Sequence, residues 1–192
     1  VTSSSTVAGG ACTGAGVGPR FIDEVIGISK AYVTRVGEGP FPTELSDEMG
    51  DRLRQAGQEF GATTGRPRRT GWFDAVALRE AVRINGMTGL AITKLDVLNE
   101  LETIKLCTAY SYRGELLEDF PQDLEVFREC HPVYEEMEGW KSDISAATAL
   151  DQLPPQARLY LEKLEEVVGC PIVLVSVGPR RDQTFQIRNP FG

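Results

Sequence analysis

A ten-residue segment rich in glycine, threonine and arginine is the first candidate for a binding site. Residues 61–70, GATTGRPRRT, combine two glycines, the adjacent Thr63 and Thr64, and three arginines. Glycines let backbone N–H groups approach a ligand, threonine hydroxyls donate to oxygens, and arginine forks grip carboxylates or phosphates in bidentate fashion. The segment therefore predicts an anion-binding loop, although an exposed basic loop paired with acidic residues elsewhere has the same composition.

A second candidate is Thr93-Lys94-Leu95-Asp96, which follows a short apolar run that fits a buried strand. Open α/β sheets bind ligands at the carboxyl ends of their strands, so this position suits a site. The four residues are similar to the guanine-selecting motif of GTP-binding proteins, where the aspartate accepts two hydrogen bonds from guanine and the lysine stem lies along the base. The alternative is a solvated strand end, because Lys-x-Asp is common by chance.

A third candidate, Ser176-Val177-Gly178-Pro179, also ends a predicted buried strand. Its small residues permit a loop to close over a bound base, and without the other two segments it would indicate only a turn. The glycine cluster at 14–18 follows no apolar strand and lacks the G-x-G-x-x-G spacing, which excludes a dinucleotide fingerprint. No G-x-x-x-x-G-K-[ST] sequence occurs in the chain. The segments together look like half of a GTP site.

Apolar periodicity predicts the elements that would position these segments. The fold class is α/β, with a largely parallel sheet and flanking helices. The stretch 114–153 is irregular and acidic and is left unassigned, and residues 1–19 are either a linker or a loop moulded around a ligand. The predicted helices are 21–26, 43–56, 73–85 and 157–168, and the predicted strands are 31–36, 89–93, 103–112 and 172–177.

Composition limits the partners of the protein. The net charge of -8 and the pI near 4.8 disfavour nucleic acid and favour small molecules or proteins. The absence of a long apolar run or signal-like start leads us to expect a cytoplasmic protein that is not bound to a membrane. Four scattered cysteines and the single His131 offer no zinc ligand set, so four reduced thiols are expected. Because the chain begins at Val1, in a Thr/Ser/Gly stretch, a truncated or processed product is expected.

Several long segments carry a resemblance to a known family. In order they are GVGPRFIDEVIGISKAYVTRVGEGPFPTEL at 16–45, GATTGRPRRTGWFDAV at 61–76, TKLDVL at 93–98 and VSVGPRRDQT at 175–184. This succession resembles the C-terminal half of the adenylosuccinate synthetase family, over residues 1 to about 184. The resemblance implies the C-terminal part of a P-loop NTPase-like fold, with residues 1–192 belonging to a single catalytic domain.

The family resemblance implies a two-step ligation in purine nucleotide biosynthesis. The 6-oxygen of IMP takes the γ-phosphoryl group of GTP, and the amine of aspartate then displaces phosphate to give adenylosuccinate. The implied IMP contacts are Thr2, Val36 and Arg66. The implied substrate loop for aspartate is Ala62, Thr63, Thr64, Gly65, Arg66, Pro67 and Arg68. The implied GTP contacts are Arg68, Lys94, Leu95, Asp96, Ser176, Val177 and Gly178.

The resemblance also implies groups that this sequence does not contain. The family's phosphate loop, its catalytic aspartate and histidine and most of its Mg²⁺ ligands lie before the position that matches Val1. No catalytic residue and no metal ligand is therefore expected in the chain, and the chain alone is expected to be inactive. The resemblance also implies a homodimer in which one subunit contributes an arginine to the IMP pocket of the other. The alternatives are a non-catalytic guanine-nucleotide-binding module and a scaffold that binds nothing.

Overall fold

A computed structural model describes residues 5–189 of the chain. Thr2 lies outside these residues. The strands are β1 Ile26–Lys30, β2 Val33–Arg35, β3 Arg69–Gly71, β4 Phe73–Asp74, β5 Gly89–Thr93, β6 Thr103–Tyr112, β7 Glu115–Leu117, β8 His131–Glu138, β9 Ile172–Ser176 and β10 Thr184–Gln186. The helices are α1 Gly9–Ala15, α2 Glu48–Ala56, α3 Ala75–Asn85, α4 Leu124–Glu129 and α5 Pro155–Val168. Short 3₁₀ helices span Pro19–Phe21, Leu95–Leu98, Leu150–Gln152 and Arg181–Gln183.

The first sheet has the strand order β1-β5-β9-β10. Strands β1, β5 and β9 are parallel, and β10 returns antiparallel to β9. The central strands β5 and β9 are mostly buried, as expected because their continuous apolar runs are typical of parallel strands that are covered on both faces. The predicted α/β architecture with parallel strands is therefore confirmed.

A second sheet is built around the long strand β6, which pairs in parallel with β4 and antiparallel with β7 and β8. Strand β6 was predicted, whereas β7 and β8 come from the acidic stretch that had no predicted structure. Strand β8 is only partly buried along its length. Because half of its residues are exposed, three of them glutamates, its apolar pattern is weaker than that of a buried strand. A separate ribbon pairs β2 with β3, antiparallel.

Helix ends follow the local chemistry of the sequence. The Asp74 side chain caps α3 by accepting from the Ala77 N–H at 3.0 Å, and Gly86 closes the helix in the left-handed conformation. Helix α5 begins with Pro155 and ends at left-handed Gly169. Its apolar stripe is buried in the core together with β5 and β9. Both helices were predicted, with boundaries within two residues.

Three local predictions were wrong. Residues 21–26 are not a helix: Phe21 and Ile22 are exposed, and Ile26 starts β1 by pairing with Gly89. Tertiary pairing here overrides a short local spacing of apolar residues. The predicted helix at 43–56 begins only at Glu48, because the Asp47 carboxylate caps it through Gly50. Residues 9–15, expected to belong to a linker or to a loop moulded around a ligand, form the helix α1.

No helix among residues 5–189 is both long enough and apolar enough to cross a bilayer. The four cysteines are free thiols, as predicted, and three of them are buried. Burial raises the pKa of the Cys107 thiol well above its ordinary value. The three buried thiols therefore behave as small apolar groups of the core.

Candidate functional site

The carboxyl ends of three parallel strands meet at one edge of the first sheet. Lys30 is the last residue of β1 and is in register with Thr93, the last residue of β5. On the other side of β5, Ile92 is in register with Val175, so Ser176 lies next to Thr93. Lys30, the Lys94–Asp96 segment and the Ser176–Gly178 loop are thereby placed along the same edge, where open α/β sheets bind ligands.

The Lys94–Asp96 segment leaves its strand through a restricted backbone conformation. Lys94 adopts a left-handed φ of 58°, which is uncommon for a residue with a side chain. Leu95 is fully buried in the core, so only its backbone is available to a ligand. Lys94 and Asp96 are thus held at fixed positions by a strand before them and a buried anchor between them.

Asp96 carries a buried carboxylate oxygen with no partner among the described residues. Its Oδ1 atom is shielded from solvent and accepts no hydrogen bond from any of them. Burial raises the pKa of Asp96 above its ordinary value. A buried polar atom without a partner is costly, so it has a structural or a functional reason to be there. Two donors on a planar ligand would satisfy this carboxylate.

A cavity of about 520 Å³ adjoins Asp96. We call it the Asp96 cavity; it is lined by Arg52, Leu53, Gln55, Ala56, Asp96, Val97, Asn99, Glu100, Leu101 and Asp143. Asp143 differs from Asp96 because both of its oxygens are occupied, by Asn99 and by the backbone and hydroxyl of Ser145. Asp143 is therefore a natural comparison for Asp96 within the same cavity.

The loop after β9 has its groups already engaged. The Ser176 hydroxyl donates to the Gly178 carbonyl at 2.9 Å, and the Val177 N–H donates to the Gln183 carbonyl at 2.9 Å. Val177 is fully buried. A Cβ on Gly178 would lie 2.3 Å from the Gln183 side-chain oxygen, so only glycine lets the two approach. The small residues of the loop therefore let a ligand approach closely, whereas the Ser176 hydroxyl and the Val177 N–H are already engaged.

Residues 61–68 form a hairpin loop closed by backbone hydrogen bonds. Phe60 and Pro67 form a β-bridge across its base, and the Gly61 N–H donates to the Arg66 carbonyl at 2.8 Å. Gly65 has a positive φ of 64° at the tip. Ala62, Thr63 and Thr64 are exposed there. The predicted anion loop is thus a defined hairpin with its hydroxyls facing solvent.

The arginines of this region converge on a small cavity of about 170 Å³. We call it the arginine cavity; it is lined by Arg35, Val36, Gly37, Gly61, Thr64, Arg66, Pro67, Arg68 and Arg69. Arg69 is fixed by a bidentate pair with Glu44, at 2.7 and 2.6 Å. The Arg66 guanidinium makes no hydrogen bond or ion pair with the described residues. The structure therefore brings Val36, predicted separately, beside the substrate loop.

Glu59 lies at the base of the hairpin and gathers three cations. It is fully buried, and its Oε1 atom accepts from Lys30 at 2.7 Å, Lys94 at 2.9 Å and the Tyr32 hydroxyl at 2.6 Å. Its Oε2 atom accepts from Arg68 at 2.7 Å. Burial opposes ionisation of Glu59, but the hydrogen bonds from these partners outweigh it and lower the pKa to about 2. We call these five residues the Glu59 cluster.

Sequence reasoning missed most of the Glu59 cluster. Lys30 would have been found at the end of a parallel strand if residues 26–30 had been recognised as β1. No local signal marked Glu59 or Tyr32, since an acid and a tyrosine near a loop are ordinary. The Lys94 ammonium group donates to Glu59 and to the Gly57 carbonyl after α2, which leaves the prediction that its stem lies along a base untested.

His131 starts β8 of the second sheet, in register with Ser111. Among residues 5–189, no three His, Cys, Asp or Glu side chains converge in a way that could hold a metal ion.

Comparisons with known proteins agree on one family. The family model for adenylosuccinate synthetase matches residues 1–185. The chain is 74% identical to adenylosuccinate synthetase of Syntrophotalea carbinolica and 67% identical to that of Geotalea daltonii, covering all of this chain and 44% of each relative. A structure of fully ligated adenylosuccinate synthetase from Plasmodium falciparum superposes with a TM-score of 0.93 at 43% identity, covering 98% of this chain and 45% of that one. The chain thus spans less than half the length of these relatives.

Proposed function

The chain belongs to the adenylosuccinate synthetase family, and we propose that it forms the part of such an enzyme that recognises guanine, aspartate and part of IMP. The proposed reaction is the GTP-dependent ligation of IMP and L-aspartate to adenylosuccinate. The domain assignment is likewise a proposal, in which residues 1–192 are the C-terminal portion of one catalytic domain. Mg²⁺ would support phosphoryl transfer in that reaction.

The unpartnered Asp96 oxygen is the observation that carries the guanine part of the proposal. An ionised carboxylate held at a strand end can accept from the ring N–H and the exocyclic amine of guanine together. Adenine presents no such pair of donors. Lys94 and the Ser176–Gly178 loop lie beside Asp96 along the same sheet edge, so the base would lie between them. We propose Lys94, Leu95, Asp96, Ser176, Val177 and Gly178 as guanine contacts, Leu95 and Val177 through their backbone.

The aspartate part of the proposal rests on the hairpin and the arginine cavity. Arg68 is held by Glu59, and among residues 5–189 only its Nη1 atom is engaged by a side chain, so its other N–H donors are available to a ligand. The Arg66 guanidinium has no hydrogen-bond or ion-pair partner among the described residues, and Thr63 and Thr64 are exposed at the tip. Two guanidinium groups and two hydroxyls suit a ligand with two carboxylates. Ala62, Gly65 and Pro67 would shape the loop, and Arg68 would also approach GTP.

The proposed IMP contacts are Thr2, Val36 and Arg66. Val36 and Arg66 line the small arginine cavity together, which supports their contact with the same ligand. Thr2 is proposed from the family resemblance alone. A cytoplasmic homodimer is also proposed on the basis of the family.

The test is an Asp96→Asn substitution in the intact protein, measured by the affinity for GTP and for xanthosine triphosphate. Loss of two charge-assisted hydrogen bonds, at about 1.5 to 3 kcal/mol each, predicts GTP binding weaker by about 10² to 10⁴-fold. Binding of xanthosine triphosphate should partly recover, because its 2-carbonyl accepts from the asparagine amide. Asp143→Asn is the matched control, since that residue lines the same cavity with its oxygens already occupied.

Unchanged GTP affinity in Asp96→Asn would remove this residue from the site. Formation of adenylosuccinate from IMP, aspartate and GTP with Mg²⁺ separates the enzyme from a guanine-nucleotide-binding module without catalysis. A protein that binds GTP in an Asp96-dependent way and yields no adenylosuccinate would favour the module.

A further inference from the structure

One buried carboxylate connects the two proposed ligand-binding segments. Glu59 accepts from Lys94, in the guanine segment, through Oε1 at 2.9 Å and from Arg68, in the substrate loop, through Oε2 at 2.7 Å. Lys94 and Arg68 do not contact each other through any hydrogen bond or ion pair among residues 5–189. Glu59 is therefore the shared partner through which the position of one cation depends on that of the other.

The geometry of Glu59 makes this link stiff. The residue has no exposed surface, and its Oε1 atom also accepts from Lys30 at 2.7 Å and Tyr32 at 2.6 Å. Its backbone is tied to the same loop, since the Arg68 N–H donates to the Glu59 carbonyl at 2.9 Å. Because both carboxylate oxygens and the backbone carbonyl of Glu59 are hydrogen-bonded, its side chain cannot move toward one cation without moving away from the other.

Charge supplies a second reason for the link. One carboxylate facing Lys30, Lys94 and Arg68 leaves the cluster with a surplus of two positive charges. Without the carboxylate the three cations would repel one another and separate. With it they stay together, and the surplus charge favours anionic ligands at this edge of the sheet.

We infer that Glu59 is a positioning residue that couples the binding of guanine nucleotide to the binding of aspartate. The inference rests on the proposed function of the same site. A nucleotide that orders the Lys94 side chain also restrains Glu59 and, through Glu59, Arg68. Aspartate then binds to a loop whose ordering cost has already been met, so the two ligands bind with positive cooperativity. By linkage, each ligand must raise the affinity for the other by the same factor.

The experiment measures this factor by titration calorimetry of the intact protein, with IMP and Mg²⁺ present throughout. GDP is titrated with and without saturating L-aspartate, and aspartate with and without saturating GDP. Couplings between sites are typically about 5 to 150-fold, and we expect the unmodified protein to fall in that range. In Glu59→Gln the factor should fall to about 1 to 2, because a neutral side chain no longer holds both cations.

A matched control and a second variant accompany Glu59→Gln. Glu44→Gln removes a carboxylate from Arg69, the neighbour of Arg68, and should leave the coupling factor unchanged because Glu44 does not contact Lys94. Glu59→Asp keeps the charge among the cations, which protects the fold, but shortens the side chain by one methylene. It cannot reach Lys94 and Arg68 together, so the coupling factor should fall here too.

The outcomes are distinct. A loss of coupling in both Glu59 variants, with Glu44→Gln unaffected, supports the inference. If a folded Glu59 variant keeps the coupling factor of the unmodified protein, the inference is overturned and the proposed function still stands. The same holds if a variant binds both ligands more weakly but with an unchanged coupling factor. If the unmodified protein binds neither GDP nor aspartate, the proposed function fails and the inference fails with it.

Discussion

Glutamine in place of Glu59 should lower the free energy of unfolding in a pH-dependent way. The Glu59 cluster lowers the pKa of this carboxyl from 4.5 to about 2. Because one unit corresponds to about 1.4 kcal/mol, ionised Glu59 stabilises the fold by about 3 kcal/mol near neutral pH. Removing one partner from a buried ionic cluster costs about 3 to 5 kcal/mol, which agrees in size.

The sign of the pH dependence follows from a folded pKa that is lower than the unfolded pKa. Such a carboxylate stabilises the fold fully above its unfolded pKa and loses that contribution as the pH falls through its folded pKa. The contribution of Glu59 should therefore decline from about 3 kcal/mol at about pH 6 to about 1 kcal/mol at about pH 3. The difference in stability between the unmodified protein and Glu59→Gln should shrink by the same amount.

Urea unfolding followed by tryptophan fluorescence measures this difference, because Trp72 and Trp140 are both buried. Glu102→Gln is the control: Glu102 also pairs with a lysine, Lys141, but both side chains are largely exposed, so its urea midpoint should stay near that of the unmodified protein. If the difference for Glu59→Gln were the same at both pH values, the carboxyl would have an ordinary pKa in the folded protein, and the reasoning from the Glu59 cluster would be refuted.

Two further predictions concern the same region. Gly57→Ala should destabilise the protein by about 1 to 3 kcal/mol, because the new Cβ would lie 2.1 Å from the Tyr32 hydroxyl oxygen and force that buried ring away from Glu59. Thermal unfolding measures the effect, and an unchanged unfolding midpoint would contradict the close packing of Gly57 against Tyr32. Arg68→Leu should raise the aspartate KM strongly with IMP affinity less affected, because Arg68 carries the anchored guanidinium of the loop; an unaltered aspartate response in steady-state kinetics would refute the loop assignment.

Local sequence patterns predicted the helices and strands whose buried residues form a continuous or regularly spaced apolar pattern. Strand β5 was predicted with its observed bounds, because its apolar residues form a continuous run that only a buried strand accommodates well. Helix α5 was predicted because its apolar stripe ends at Gly169, which closes the helix. The second sheet was missed where its strands are half exposed and charged, as in β8.

The sequence by itself determined the chemical types of the candidate site, since carboxylate, ammonium, guanidinium and hydroxyl groups are properties of single residues. It also placed Lys94–Asp96 and Ser176–Gly178 at strand ends. Only the tertiary structure decided which of these groups share a partner. Glu59 meets Lys30 across 29 positions of sequence and Lys94 across 35, because β1 pairs with β5 and α2 lies between them in the chain. Strand order sets such contacts, and it leaves no local period in the sequence from which they could be predicted.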